Sequence, residues 1–193
     1  MRIISGNLRG RKLADLSGND IRPTSDRVRE AVFNILGQKL RDARVLDLFA
    51  GTGALGLEAL SRGAAHAVFV DGAASSCGII QKNIDRCHMD QQATLIHHDI
   101  MDLPFPHTLA ETPFDLIFMD PPYDKGYIKT TLAKPCFIDL LAPDGIIITE
   151  QSFKNPLTKV SNGLDIYRQK KYSKTFISFL RKEVINKGSD KND

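Results

Sequence analysis

An aspartate followed by two prolines and a tyrosine, Asp120-Pro121-Pro122-Tyr123, carries the most specific chemistry in this sequence. Prolines stiffen the backbone and lack an N–H, so the Asp120 carboxylate and the Pro121 carbonyl can both accept hydrogen bonds from one NH₂ group. Such acceptors stabilise the positive charge that develops when an amine conjugated with a heteroaromatic ring attacks a methyl group. Tyr123 offers a ring face for base stacking. These four residues are the candidate catalytic residues.

A second segment has the spacing of a nucleotide-binding turn. Gly51, Gly53 and Gly56 form a G-x-G-x-x-G pattern between an apolar run and a helical pattern. Glycines permit a tight turn and a close approach of backbone N–H groups to a ligand, and the following helix N-terminus favours negative charge. Dinucleotide and S-adenosylmethionine sites share this pattern, so it predicts a nucleotide-type ligand without distinguishing the two.

Three aspartates distinguish these ligands. Asp47 precedes the glycines and is expected to face the same ligand-binding crevice as the glycine turn. In that crevice Asp47 would repel a pyrophosphate but suit the cationic amino-acid end of S-adenosylmethionine. Asp71 ends the next strand pattern, where an acid can accept hydrogen bonds from ribose hydroxyls. Asp99 follows the third strand pattern and is suited to an adenine amino group. The predicted cofactor is S-adenosylmethionine, and the candidate cofactor-binding residues are Asp47, Phe49, Gly51, Gly53, Gly56, Asp71, Asp99 and Ile100.

Strand and helix patterns alternate through the middle of the chain. Apolar runs predict strands over 45–49, 67–70, 93–96, 114–119 and 145–149, and helical spacing predicts helices over 54–61, 73–87 and 126–141, the last interrupted near Pro135. Partial alternation over 165–172 and 175–180 predicts an antiparallel hairpin at one sheet edge. We therefore predict an α/β fold with a Rossmann-like, mostly parallel sheet of seven strands.

The residues before this alternation predict an appended hairpin and helix. Residues 1–13 are typical of a β-hairpin that turns at Gly6-Asn7. A helix is predicted to start at Pro23-Thr24-Ser25 and to end at Leu40, with Gly37 as a weak point.

Basic residues are concentrated at the two ends of the chain. Residues 1–44 hold ten Lys or Arg against five Asp or Glu, residues 45–150 hold six against fourteen, and residues 151–193 hold ten against four. Basic ends around an acidic centre would present positive surface to a polyanion. Basic terminal segments that are only solvated would show the same distribution of charge. The candidate contacts with such a polyanion are Arg9, Arg11, Lys12, Arg22, Arg27 and Arg29.

Length and composition limit the class of protein. A chain of 193 residues predicts one domain, and 42% hydrophobic with 25% charged residues is typical of a globular protein. Three cysteines without paired spacing argue against a disulfide framework and a four-ligand zinc site, and we expect no metal. Since no apolar run is long enough to span a membrane and the first residues do not resemble a signal peptide, we expect a cytoplasmic protein that binds no membrane. We also expect a monomer.

The motifs resemble a known family. The segment 47–56 together with 120–123 is similar to class I S-adenosylmethionine-dependent methyltransferases that modify exocyclic amines or amides. The segments 2–6, 9–13 and 22–36 narrow the resemblance to the RsmD family, bacterial guanine-N2 methyltransferases of 16S ribosomal RNA, over about residues 1–182. One departure is Asp71-Gly72, where the family has a glutamate followed by an apolar residue.

The resemblance implies a role for each part of the chain. The 120–123 turn would hold the target guanine, and the acids and glycines would hold S-adenosylmethionine. The basic N-terminal region would bind ribosomal RNA or the small ribosomal subunit. Residues 1–43 are then the N-terminal extension, residues 44–182 the methyltransferase domain and residues 183–193 a tail that we expect to be disordered.

Other functions stay open on the sequence. An adenine-N6 DNA or RNA methyltransferase, or a protein-glutamine methyltransferase, would use a similar Pro-Pro-aromatic turn. A nicotinamide-dependent oxidoreductase would account for the glycines and Asp71 but leaves Asp47 and the 120–123 turn unexplained. An RNA chaperone that binds the cofactor without chemistry is the non-enzymatic alternative.

Overall fold

Seven strands form one sheet in the computed structural model of the protein, which describes residues 1–15, 26–102, 104–122, 125–160 and 162–183. The strands are β1 (Arg44–Leu48), β2 (His66–Asp71), β3 (Ala93–His97), β4 (Phe114–Met119), β5 (Leu141–Ser152), β6 (Leu164–Tyr172) and β7 (Thr175–Lys182). Their order in the sheet is β3-β2-β1-β4-β5-β7-β6. The first five are parallel, and β7 runs antiparallel to β5 and β6. The predicted Rossmann-like sheet is confirmed.

The helices of the described residues precede β1 or connect the strands. They are α1 (Asp26–Leu36), α2 (Ala54–Ser61), α3 (Ala74–Cys87), α4 (His107–Ala110) and α5 (Tyr127–Leu132). The helix predicted over 126–141 is α5 followed by a 3₁₀ segment, Pro135–Leu140, because Pro135 has no N–H to continue the helical ladder. α4 is not predicted from the sequence, since four residues are too few to show a helical period.

Both faces of the sheet are covered by apolar side chains. Along β4, Leu116 and Phe118 join one core cluster, which also holds residues of α1, α2 and α3. Ile117 and Met119 point to the opposite face and join a second cluster with residues of α4 and α5. A parallel strand buried on both faces is apolar at most of its positions, which explains the nearly continuous apolar runs of the sequence.

The carboxyl ends of the parallel strands meet at one edge of the sheet, and β1 lies between β2 and β4. In the registers, Leu48 of β1 is level with Val70 of β2 and with Met119 of β4. The chain order reverses between β1 and β4, and such switch points are where open α/β sheets bind ligands. The segments that follow β1, β2 and β4 therefore reach the same crevice.

The N-terminal hairpin is wider than predicted. Its ends pair through Arg2 and Lys12, and Ile3 N–H donates to the Arg11 carbonyl at 3.0 Å. The turn is not confined to Gly6-Asn7: the chain between the paired ends forms a loop against α2, with Asn7 N–H donating to the Ser61 carbonyl at 2.8 Å. Gly6 has a φ of +83°, and a Cβ there would lie 1.8 Å from the Ser61 carbonyl oxygen, so the close approach requires glycine.

The predicted N-terminal helix and C-terminal hairpin are both present. The expected helix start at 23–25 lies outside the described residues, α1 ends at Leu36, and a 3₁₀ segment continues to Leu40 because Gly37 adopts a φ of +53°. β6 and β7 form the predicted antiparallel hairpin, with β6 at the sheet edge. Glu183, the expected start of the tail, donates its N–H to the Gly163 carbonyl at 2.7 Å, and residues 184–193 lie outside the described part. The described helices include none with the length and apolarity to cross a membrane.

Candidate active site

The glycine pattern forms a tight turn between β1 and α2. Gly51 and Gly53 have φ values of +57° and +75°, in the left-handed region that favours glycine. Gly56, one turn into α2, packs against β2, and a Cβ there would lie 2.3 Å from Cε1 of Phe69. Gly51 has open space where its Cβ would be, the nearest atom being the Phe49 carbonyl oxygen at 3.9 Å. The turn therefore leaves bare backbone facing the crevice.

Asp71 ties the end of β2 to this turn. One carboxylate oxygen accepts the Gly51 N–H at 2.8 Å, and the other accepts the Ala73 N–H at 2.9 Å. Its side chain stays half-buried at the crevice. Each carboxylate oxygen can accept a second hydrogen bond, so Asp71 can hold the turn and still receive ribose hydroxyls.

Asp47 is buried rather than facing the crevice, which corrects its predicted position. It is 1% exposed, and its Oδ2 accepts the Gly56 N–H at 2.9 Å, so the carboxyl lies beneath the glycine turn and holds the first turn of α2. Burial, with a smaller contribution from the nearby Asp71 charge, raises the pKa of Asp47 to about 8 from an ordinary value of 3.8. Its contact with a cofactor stays a prediction.

The segment after β3 is held by a residue that the sequence analysis missed. Asp99 is exposed and accepts the Met101 N–H at 2.9 Å, whereas Ile100 is 1% exposed. Lys134 extends into this segment and donates to the carbonyls of Ile100 at 2.7 Å and Met101 at 2.9 Å. Burial lowers the pKa of the Lys134 ammonium. A lysine that binds backbone carbonyls has no local sequence signature, which is why only the structure identifies it.

The turn that is predicted to be catalytic, residues 120–123 and called the catalytic turn from here on, begins where β4 ends. Asp120 follows Met119 directly and is half-buried, Pro121 is buried and Pro122 is exposed. Tyr123 lies outside the described residues. Because Met119 is level with Leu48, Asp120 comes beside Phe49 at the same crevice edge.

Phe49 connects the two halves of the crevice. It has a φ of +59° and its ring stacks on Tyr127 of α5, with centroids 5.7 Å apart and an angle of 18° between the ring planes. The segment after β1 and the helix after the catalytic turn are therefore in direct contact. Tyr127 was not among the predicted site residues, since its partner is distant in sequence.

A cavity of about 420 Å³ opens beside the catalytic turn. Pro121 and Pro122 line one side, and the start of α5 lines another with Tyr127. The end of β5 and the loop that follows it close the cavity with polar side chains, among them Glu150 and Asn155. A cavity with apolar walls and a few polar groups is the usual form of a small-ligand site, and this one is large enough for a single base.

The predicted RNA contacts fall into different environments. Arg9, Lys12 and Arg27 are exposed, and Arg11 is exposed with its guanidinium donating to the Arg86 carbonyl at 2.6 Å. Arg22 lies outside the described residues.

The structure corrects the prediction that Arg29 is an RNA contact. It is 1% exposed, and its guanidinium donates to the Arg2 carbonyl at 2.8 Å and to the Asp26 carboxylate at 2.9 Å. Burial lowers the pKa of Arg29. The expectation of a surface RNA contact is therefore wrong for Arg29, because its hydrogen bonds join α1 to the N-terminal segment.

Buried polar side chains fix the basic N-terminal segment to the rest of the molecule. The Glu58 carboxylate, which is fully buried, accepts the N–H groups of Ile4 at 2.7 Å and Ser5 at 3.0 Å. The Asn83 side chain, also fully buried, accepts the Ala14 N–H at 2.6 Å and donates to the Ala14 carbonyl at 3.0 Å. The segment 1–15 thus holds a set position relative to the crevice.

The residues at the crevice fit S-adenosylmethionine better than a phosphate ligand. The glycine turn has bare backbone on its open side, and the side chain at its edge is an acid, Asp71; Asp47, with a pKa of about 8, lies beneath the turn and is protonated at neutral pH. The segment 47–61 carries no lysine or arginine that could neutralise a phosphate. Within the described residues, no group of three or more His, Cys, Asp or Glu is arranged to hold a metal ion.

Comparison with known proteins connects this arrangement to methyltransferases. A putative rRNA methyltransferase of Bacillus subtilis, YlbH, is 35% identical over 182 residues, covering 94% of this chain and 99% of that protein. The ribosomal RNA small subunit methyltransferase D of Escherichia coli K12 is 37% identical over 172 residues, covering 88% and 84%. The solved structure of the putative methyltransferase yhhF from Escherichia coli superposes with a TM-score of 0.79 at 34% identity, covering 95% and 98%.

The family model described as conserved hypothetical protein 95 matches residues 1–181, which include the N-terminal segment, the glycine turn and the catalytic turn. The chain therefore belongs to the conserved hypothetical protein 95 family, the RsmD family of methyltransferases.

Proposed function

We propose that this protein transfers a methyl group from S-adenosylmethionine to the exocyclic N2 of a guanine in bacterial 16S ribosomal RNA. The observation that carries the proposal is the position of Asp120-Pro121 at the end of β4, one strand from the glycine turn of β1. The printed names of the relatives in Bacillus subtilis and Escherichia coli, which are rRNA methyltransferases, support the substrate class.

The residues of the crevice divide between the two substrates. When bound, S-adenosylmethionine supplies a methyl group on a sulfonium and leaves as a neutral thioether. The bare backbone of the glycine turn, Asp71 and Asp99 would hold it, the last through the adenine amino group. Asp47, from beneath the turn, keeps the start of α2 in place.

The Asp120 carboxylate and the Pro121 carbonyl prepare the amine. They accept hydrogen bonds from the two N2 protons, orient the nitrogen lone pair towards the methyl carbon and stabilise the charge that forms on nitrogen. As the N–C bond forms and the S–C bond breaks, the electron pair of the latter stays on sulfur. The surplus N2 proton then leaves to Asp120 or to water.

The target base has to leave its stack before the amine can reach this turn, because a paired guanine does not present N2 to a methyl donor. The cavity beside Pro121 has room for one base. Tyr123, which lies outside the described residues, is the proposed stacking partner. The exposed Arg9, Arg11 and Lys12 would bind the RNA backbone.

Methyl transfer to purified small ribosomal subunits and to free 16S RNA tests the proposal. Label from S-adenosylmethionine should appear as N2-methylguanosine after digestion to nucleosides and mass analysis. N6-methyladenosine in the digest would instead support the adenine alternative, and label in protein would support the glutamine alternative. Absence of transfer to either RNA substrate would contradict the proposal.

A further inference from the structure

Glu150 lies beside the catalytic aspartate on the neighbouring strand. In the register of β4 with β5, Met119 is level with Thr149, so Asp120 and Glu150 each follow directly after a paired residue. Parallel neighbours are about 4.8 Å apart, and side chains at level positions point to the same face of the sheet. The two acidic residues are therefore neighbours across the two strands, and both line one small cavity.

Glu150 also borders two cavities at the site. With Pro121 and Pro122 it lines the cavity of about 420 Å³, and with Asp120 and Arg29 it lines a much smaller one on the other side. Its backbone is fixed within the sheet, level with Ile177 of β7. Glu150 thus stands on a rigid strand at the boundary between the catalytic turn and the space available to a base.

The two acids make this boundary rich in hydrogen-bond acceptors. The Watson–Crick edge of guanine has N–H donors at both N1 and N2, two nitrogens that are both bonded to C2. With the N2 protons on Asp120 and Pro121, the N1–H faces the neighbouring acceptor, which is Glu150. The corresponding edge of adenine has an amine beside an N1 lone pair, and a carboxylate repels that lone pair.

We infer that the Glu150 carboxylate accepts the N1–H of the target guanine and makes the site selective for purines that carry an N1–H. The inference rests on the proposed function, since it assigns the base that the catalytic turn receives. In this assignment Asp120 binds the amine that is methylated, whereas Glu150 selects the purine base that carries the amine.

A purine analogue separates the two roles. 2-Aminopurine keeps the amine at C2 but has a lone pair instead of a proton at N1, so it retains the contacts of Asp120 and loses that of Glu150. The probe is 16S RNA assembled from two fragments, with either guanosine or 2-aminopurine at the methylated position, which is first mapped by mass analysis of ribonuclease fragments of 16S RNA methylated by the wild-type protein. Methyl transfer and the fluorescence of 2-aminopurine, which rises when the base leaves its stack, are both measured.

The wild-type protein should prefer guanosine in its kcat/KM. Glu150→Gln should lower the ratio of guanosine to 2-aminopurine by about 5- to 150-fold, because the amide can donate to the N1 lone pair. The fluorescence rise on binding should become larger in the same variant. Glu111→Gln, an exposed acid after α4, is the matched control and should keep the wild-type ratio.

A purely structural role for Glu150 would lower both rates equally and leave the ratio unchanged, which would overturn the inference. If Glu150→Gln does not fold, Glu150→Asp keeps the carboxylate and should retain the preference for guanosine at a reduced rate; loss of the preference in that variant would also overturn the inference. Failure of the proposed function is distinguishable, because the wild-type protein would then methylate neither RNA.

Discussion

The two halves of the crevice are built differently. On the side of β1, β2 and β3, the acids are occupied by backbone N–H groups of the protein itself: Asp47 binds Gly56, and Asp71 binds Gly51 and Ala73. On the side of β4 and β5, the catalytic turn borders a cavity of about 420 Å³ with polar side chains at its edge. The first half is arranged before any ligand arrives, whereas the second leaves room for a base that must enter from RNA.

This contrast predicts that substitutions in the two halves have separable effects. Changes near the glycine turn should alter stability and cofactor affinity together, because the same hydrogen bonds serve both. Changes at the catalytic turn should alter methyl transfer and leave the fold and the cofactor affinity nearly unchanged.

Asp120→Ala should have the largest effect. Removing one positioned hydrogen-bonding group from an active site typically costs about 10²- to 10³-fold in kcat. Transfer to 16S RNA should therefore fall by that factor, while S-adenosylmethionine affinity measured by calorimetry stays within about twofold. Asp165→Ala, an exposed acid on β6, serves as control. A large loss of cofactor affinity in Asp120→Ala would contradict the prediction that the two halves of the crevice have separable effects.

Asp47→Asn should change the pH dependence of stability. The pKa of Asp47 is about 8 in the folded chain, far above its ordinary 3.8, so between pH 4 and 8 the folded chain keeps a proton that the unfolded chain has lost. The free energy of unfolding then falls as pH rises through this window, by at most about 1.4 kcal/mol per pH unit, and levels off above it. The variant should lack this slope, because an amide does not titrate, and it should keep the fold, because its amide oxygen can still accept the Gly56 N–H. Equal slopes for both proteins in denaturant unfolding would contradict the assignment.

Gly56→Ala tests the packing of α2 on β2. The added Cβ would lie 2.3 Å from Phe69, so the helix or the ring must move. We expect a loss of about 1–3 kcal/mol in the free energy of unfolding, together with weaker cofactor binding. Gly78→Ala, in α3 with open space at its Cβ, should instead stabilise the protein by about 0.5–1 kcal/mol. Similar effects of the two changes on chemical denaturation would refute the packing argument.

Replacing Arg9, Arg11 and Lys12 together with glutamine should weaken RNA binding and leave cofactor affinity unchanged. Each lost phosphate contact reduces the slope of log affinity against log salt by about 0.7–0.9. Lys39→Gln with Arg41→Gln, exposed basic residues before β1 that are not among the predicted RNA contacts, is the control. Filter binding at several salt concentrations measures the slope, and a slope equal to that of the control would exclude these residues as contacts.

The parts of the site that could be predicted from the sequence are those defined by short stretches of chain. The glycine turn and the Asp120-Pro121 turn depend on residues within a few positions of each other, and each follows a strand whose apolar run is visible in the sequence. The order of the strands then brings the two turns together, as the fold class implies.

The parts of the site that could not be predicted from the sequence depend on packing between segments that are distant along the chain. Asp47 has the same sequence context whether it faces the crevice or lies beneath the turn, and its 1% exposure is set by α2. Arg29 lies in a basic segment but is buried by the N-terminal loop, so charge counting could not separate it from Arg27. Lys134 contacts residues far along the chain, and Glu150 lies beside Asp120 only through the pairing of β4 with β5, so only the loop contacts and the sheet register identify these two positions.

The central claim is that the two halves present a methyl donor and an amine acceptor to each other across β1 and β4. A crystal structure of the protein with S-adenosylhomocysteine tests it most directly, through the distance between the ligand sulfur and the Asp120 carboxylate. We predict a gap at the catalytic turn that admits one amine, such that a methyl group on the sulfur would lie about 3–3.5 Å from the nitrogen. A sulfur atom far from this turn, or an Asp120 side chain directed into the core, would contradict the account.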